Sequence, residues 1–232
     1  MMNNTGAPAK TVLSWSSGKD SAWALRVLRP RADIEVVGLL TTVNTATGME
    51  TEPRVAVHGV REALLERQAA AVGLPLWRVT IPDPCPNREY EAALGAALAR
   101  LRADGVTALA FGDLFLEDIR RYREAQLAGS GLAPLFPLWD LPTDRLARAM
   151  VAAGLRATLT RVDTGQLPAS FAGRRFDTAL LADLPPGVDP CGERGEFHTF
   201  VHDGPLFTRP IGVRPGDIIE RDGVAYADLL PT

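Results

Sequence analysis

Lysine is almost absent from this 232-residue sequence. Of its 25 basic residues only Lys10 and Lys19 are lysines; the rest are arginines. Such a skew follows genome composition and carries no function by itself, but it makes a lysine inside a small-residue turn harder to dismiss as background. Cysteine is scarce too. Cys85 and Cys191 lie far apart with no Cys-x-x-Cys, which argues against a disulfide framework and against a zinc site. No apolar run approaches the 18 residues of a membrane helix, and residues 1–10 lack the apolar stretch of a signal peptide. A cytoplasmic protein with no membrane partner is therefore expected. A net charge of −3 gives the chain as a whole no nucleic-acid electrostatics. What remains is a globular composition, 46% hydrophobic and 23% charged, long enough for one large domain or two smaller ones.

The chain is organised around Leu13-Ser14-Trp15-Ser16-Ser17-Gly18-Lys19-Asp20-Ser21. The apolar run from Thr11 to Trp15 has the form of a buried strand. It breaks into small residues, after which Asp20 or Ser21 is placed to cap a helix through Ala22, Leu25 and Leu28. A strand, a small-residue turn and a helix N-terminus aim backbone N–H groups and the positive end of a helix dipole at one point. That point suits an anion, and Lys19 suggests phosphate. The turn is not a Walker A loop, because Leu13 stands where the first glycine belongs and Asp20 follows Lys19 where Ser or Thr is required. The plain alternative is an ordinary strand-to-helix turn.

Beyond the turn, strands and helices alternate to about Leu138, as in a five-stranded parallel sheet with helices on both faces. Such sheets bind ligands beyond the carboxyl ends of their strands, where this turn lies. The rhythm changes after Trp139-Asp140. A helix over residues 143–153, a strand over 155–162, a hairpin over 196–207 turning at Asp203-Gly204, and a tail turning at Arg221-Asp222-Gly223 predict a smaller α+β domain. The expected division is 1–140 and 141–232.

Three other constellations carry chemistry. Gly112-Asp113, at the end of the fourth strand, brings carboxylates to the rim of the phosphate turn, with Glu117 and Asp118 beyond. For the last two, an acidic helix N-terminus suffices as explanation. Asp113 is placed to hold Mg²⁺ or orient an amine. The segment Asp189-Pro190-Cys191-Gly192-Glu193-Arg194-Gly195-Glu196-Phe197-His198-Thr199 sets two carboxylates and an imidazole within a few residues, and strand alternation puts Glu196 and His198 on one face. An isolated Glu-x-His is a weak signal, and structural salt bridging is the more frequent explanation of such a group. His58, before a helix, faces the same rim or simply packs.

The turn Ser16-Ser17-Gly18-Lys19-Asp20-Ser21 resembles the pyrophosphate loop, Ser-Gly-Gly-x-Asp-Ser, of the adenine-nucleotide alpha-hydrolase superfamily, with Ser17 in place of a glycine. Together with His58, Gly73-Leu74-Pro75-Leu76, Gly112-Asp113 and the Cys191 to Thr199 string, it resembles the diphthine–ammonia ligase family from about Thr11 to Phe207. The resemblance implies ATP and Mg²⁺ as cofactors, ammonium and a carboxylate acceptor as substrates, and, in archaea or eukaryotes, elongation factor 2 as the protein carrying that carboxylate. A homodimer is left open. It further implies a phosphate cradle of Ser16, Ser17, Gly18 and Ser21, with Gly112, Asp113 and His58 beside the nucleotide. Lys19 would stabilise departing pyrophosphate, Asp20 would hold the metal, and Glu193, Glu196 and His198 would serve the acceptor or ammonium. Two rival classes are an ATP- or AMP-binding regulator without chemistry, and a sulfur-transferring enzyme acting on tRNA.

Overall fold

The computed structural model describes residues 7–45, 54–55 and 59–232. Five strands form the parallel sheet: β1 (Ala9–Ser14), β2 (Ile34–Asn44), β4 (Leu76–Ile81), β5 (Ala108–Ala110) and β6 (Ala133–Leu135). Their order is β4-β2-β1-β5-β6. A two-residue strand, β3 (Arg54–Val55), pairs antiparallel with Val43 and Asn44, along the edge of β2 that β1 leaves open by ending at Ser14.

Every central strand is buried on both faces, and neighbouring residues serve different cores. Leu13 and Leu39 face α1 (Lys19–Leu28) and α2 (Glu62–Val72), whereas Val12 and Leu40 face α3 (Asn87–Ala103) and α4 (Glu117–Leu127). Helix α1 forms because Ala22, Leu25 and Leu28 recur at helical spacing and bury completely. Gly73 ends α2 in the left-handed conformation at φ 70°. The order of connection sends β2 and β4 to one side of β1 and β5 and β6 to the other. The crevice where a doubly wound sheet binds its ligand therefore lies between the ends of β1 and β5.

The second half adds α5 (Thr143–Ala152), a short 3₁₀ turn (Ala169–Phe171) and α6 (Thr178–Asp183) to a four-stranded antiparallel sheet. Its strands are β7 (Arg156–Asp163), β8 (Phe197–Asp203), β9 (Val213–Arg221) and β10 (Val224–Pro231), in the order β8-β7-β10-β9. The apolar core on the α1–α2 face runs without interruption into this half, joining Leu13, Leu25 and Leu64 to Met150, Leu159, Phe197 and Leu229. Arg61 also pairs with Asp228 at 2.6 Å, tying the start of α2 to β10.

Two local expectations are corrected. Residues 196–207 do not form a hairpin: β8 ends at Asp203 and pairs with β7, whose partner residues lie 35–47 positions earlier in the chain. The real hairpin is β9–β10, whose turn residues Asp222 and Gly223 both have positive φ, 52° and 75°, as a tight two-residue hairpin loop requires. Neither Asp20 nor Ser21 caps α1. The helix begins at Lys19 with Gly18 as its N-cap and no side-chain cap, and the Ser21 hydroxyl donates back to the Gly18 carbonyl at 3.0 Å. His58 lies outside the described residues.

Candidate active site

The turn after β1 is built from backbone freedom and packing. Trp15 donates its backbone N–H to Leu40 O at 2.7 Å, holding the strand end, and the chain then reverses through Ser17 at φ 69°. Serine thus occupies a left-handed conformation that glycine adopts at less cost. Gln68 on α2 pins this reversal from beneath. It accepts from the Trp15 indole at 2.8 Å and donates to Ser17 O at 2.9 Å and Val201 O at 2.6 Å. Gly112 brings the end of β5 against the start of α1: a Cβ there would stand 3.0 Å from the Asp20 carbonyl carbon and the Ser21 nitrogen.

Strand β8, the edge of the second sheet, seats directly on this turn. Val201 donates its N–H to Ser17 O at 3.0 Å, and Lys19 donates its backbone N–H to Thr199 Oγ1 at 3.1 Å. Phe197 and Thr199 share the strand face that meets the turn, and alternation places His198, half-buried, on the other face. The loop before β8 crosses to the far side of the crevice. Glu193 Oε1 accepts from the backbone N–H of Leu114 at 2.7 Å, just beyond Gly112 and Asp113.

That loop is also knitted to itself. Asp189 donates its N–H to Glu196 Oε1 at 2.9 Å, and its carboxylate accepts from Glu193 N at 2.9 Å. Glu196 is almost fully buried, and its Oε2 has no hydrogen-bond partner. Gly192 adopts φ 68°, and any side chain there would meet Phe197 O at 2.7 Å, so glycine is required on both counts.

Lys19 lies at the centre, its side chain only 2% exposed. Its ammonium donates to the Cys191 carbonyl and to Asp20 Oδ2, the latter at 2.9 Å, and sits 5.2 Å and 5.6 Å from the ring centres of Phe197 and Phe176. Burial lowers the lysine, but Asp20, Cys191 and Glu193 outweigh it and the ammonium is held above its usual range. Burial also raises Asp20, offset in part by Lys19. These directions pull the pair opposite ways. The 2.9 Å contact decides for the ionised pair, because each charge would otherwise be buried without compensation.

Glu193 is pushed up to about 7, chiefly by burial and further by Asp20 and Asp113, against the Leu114 N–H and Lys19. Burial also raises Asp113, with Arg123 3.6 Å away opposing. The Cys191 thiol is driven far up by burial and donates to Thr143 O, which leaves it a packed group and not a nucleophile.

The site therefore brings together Ser16, Ser17, Gly18, Lys19, Asp20, Ser21, Gly112, Asp113 and Glu193. The Ser16 and Ser21 hydroxyls stand 3.3 Å apart over the amino end of α1. Ser17 Oγ, Asp20 Oδ1 and Asp113 Oδ2 are buried without hydrogen-bond partners, polar valences of the kind a bound polyphosphate with its cation would use. Among the described residues no three His, Cys, Asp or Glu side chains gather as a metal cage. Glu117 and Asp118 are exposed on the first turn of α4, where acids favour a helix start. In the sequence Asp189 and Thr199 stand only as the ends of the 189–199 string, with no role of their own. Gln68 shows there as a polar residue inside the apolar stripe Leu64, Leu65, Ala69 and Val72.

Comparison with known proteins points the same way. Residues 142–226 match the diphthamide synthase C-terminal domain. Along most of its length the chain is similar to proteins named diphthine–ammonia ligase. It is 26% identical to the Homo sapiens protein, over 92% of this chain and 86% of that one, and 29% identical to the Danio rerio protein, over 92% and 90%. A Schizosaccharomyces pombe protein of the same name is 33% identical over 94 residues, 39% of this chain and 16% of that one. No helix among the described residues is long and apolar enough to cross a membrane. With its parallel sheet, its small-residue turn at the sheet's switch point and a C-terminal part that matches that domain seated on the turn, the chain is similar to the diphthine–ammonia ligases.

Proposed function

We propose that this protein is an ATP-dependent carboxylate–ammonia ligase. It adenylates a carboxylate, releases pyrophosphate and transfers ammonia to the acyl group. The observation that carries this reading is the closure of the crevice from both sides by one segment of the second half, with Thr199 on Lys19 and Glu193 on Leu114. A carboxylate is a poor electrophile until it is adenylated, and an acyl-adenylate survives only where water is kept out. A lone sheet rim cannot provide that; a rim covered by residues 189–199 can.

In this scheme Ser16, Ser17, Gly18 and Ser21 cradle the phosphates at the amino end of α1. Lys19 exchanges the Cys191 carbonyl for phosphate oxygens and meets the charge that develops as pyrophosphate leaves. Asp20, through its unpartnered Oδ1, would hold Mg²⁺, which would neutralise charge on the phosphates. Glu193, poised near neutrality beside Asp113, accepts a proton from the incoming ammonium. Glu196 braces the loop on the acceptor side by accepting from the Asp189 N–H, and His198, on the strand face turned away from the turn, stays outside this scheme. The acceptor is the diphthine carboxylate of elongation factor 2 where the source organism makes it, and another carboxylate where it does not. The inert, buried Cys191 weighs against sulfur transfer, and a pyrophosphate site is more than a mere AMP sensor needs.

The test is the fate of labelled ATP in the presence of ammonium and the acceptor. AMP and pyrophosphate in equal amounts with amide product are expected. ADP and phosphate as the products would overturn the mechanism.

A further inference from the structure

The four-stranded sheet ends in β9, whose outer edge has no partner among the described residues. Ile218 and Ile219, at 55% and 60% exposure, are two of the few large apolar side chains left open to solvent among the described residues, and they are neighbours in this edge strand. An open edge strand carrying exposed isoleucines is normally a hazard. We propose that the edge is covered by a second copy of the same chain, β9 against β9 in antiparallel register, with Ile219 of each protomer on the two-fold axis.

The register follows from the hairpin. Because the loop holds only Asp222 and Gly223, Arg221 and Val224 form its hydrogen-bonded closing pair. Alternation then turns the Ile219 backbone groups towards Tyr226 in β10 and those of Ile218 and Glu220 outwards. Outward groups must pair with outward groups, so only every second register is open to a two-fold β9–β9 contact. Centring it on Asp217 or on Glu220 sets like charges face to face, and centring it on Ile218 sets Asp217 against Ile219.

Centring it on Ile219 pairs Ile218 with Glu220 of the second copy through the outward backbone groups. It stacks the two Ile219 side chains at the closest, non-hydrogen-bonded position and places Asp217 opposite Arg221 twice over. Ile219 is also the midpoint of the usable edge, which is bounded by the Arg221 end of the hairpin and by the irregularity where β9 passes Asp228. Arg221 is 72% exposed, and its ion pair with Asp222 is long at 3.7 Å, so it is available to a facing carboxylate. The result is a continuous eight-stranded sheet across the dimer. This assignment does not depend on the proposed ligase activity.

The test is sedimentation equilibrium of the full chain across a range of protein concentrations. A reversible monomer–dimer equilibrium is expected. Asp217→Arg and Arg221→Asp should each weaken the dimer roughly tenfold or more, since each opposes like charges twice, and the double exchange should restore it. A chain that stays monomeric, or a dimer unmoved by the single exchanges, overturns the proposal. Amide exchange provides a second reading on the unaltered protein. The Ile218 and Glu220 N–H groups should gain protection as concentration rises; if they exchange at one rate throughout, β9 is not the interface.

Discussion

The carboxylate of Glu193 accepts a hydrogen bond from the Leu114 backbone at 2.7 Å, so a residue of the C-terminal half closes over the end of a strand in the N-terminal half. The two residues are 79 positions apart in the chain, yet the contact stands beside Asp113 at the rim where the turn after β1 opens. Burial there holds the Glu193 carboxyl at about 7, above its ordinary 4.5. A group whose pKa is raised by folding stabilises the protein fully below its unfolded value and loses that contribution as pH rises through the folded one. The melting temperature should therefore fall between about pH 4.5 and 7 through this group. Glu193→Gln should flatten the fall while leaving the opposite effect of His202, whose pKa burial lowers. Melting curves of both proteins across that range check it, and identical slopes would mean that Glu193 titrates normally.

Thr199 should matter as a hydrogen-bond acceptor. Thr199→Val keeps the shape but leaves the buried Lys19 N–H without its partner, at a cost of about 1–3 kcal/mol. Thr199→Ser should recover most of it. Urea unfolding of the three proteins measures the difference, and equal stability of all three would show that the N–H finds another acceptor.

Gly112 and Gly95 make a contrasting pair. A methyl at Gly112 meets backbone atoms of Asp20 and Ser21 at 3.0 Å, so Gly112→Ala must push β5 from α1 and should weaken ATP binding as well as stability. Gly95 lies within α3 with nothing within 4 Å of an added Cβ. Gly95→Ala should stabilise the protein by about 0.5–1 kcal/mol and leave nucleotide affinity alone. Calorimetry of ATP binding and of unfolding separates the two.

Lys19→Ala removes a charge-assisted contact worth roughly 1.5–3 kcal/mol, about 10- to 150-fold. If Lys19 meets charge that develops as pyrophosphate leaves, turnover should drop more than ATP affinity does. The variant should also unfold more easily, because Asp20 keeps its partly buried charge without a partner. Single-turnover kinetics beside equilibrium binding of ATP decide the point, and equal losses would reduce Lys19 to a ground-state contact.

What the sequence determined by itself was local. The strand, turn and helix around Ser16 to Ser21, the alternation to Leu138 and the change of rhythm after it depend on periodicity, breakers and small residues close together in the chain, and the observed elements follow them. The 196–207 segment shows where that reach ends. Asp203-Gly204 has the chemistry of a hairpin turn, but a strand pairs with whatever edge packing leaves available, and β7 offered a better one than residues 205–207. The same limit applies at the site. No spacing rule could place Thr199 against the N–H of Lys19, 180 positions away, or Gln68 beneath Ser17, because both contacts exist only once the second sheet is laid on the α1–α2 core. Residue types that suit phosphate are written along the chain. Their enclosure depends on burial, and burial is set by the packing of the two sheets, since only that packing removes water from Lys19, Asp20 and Glu193.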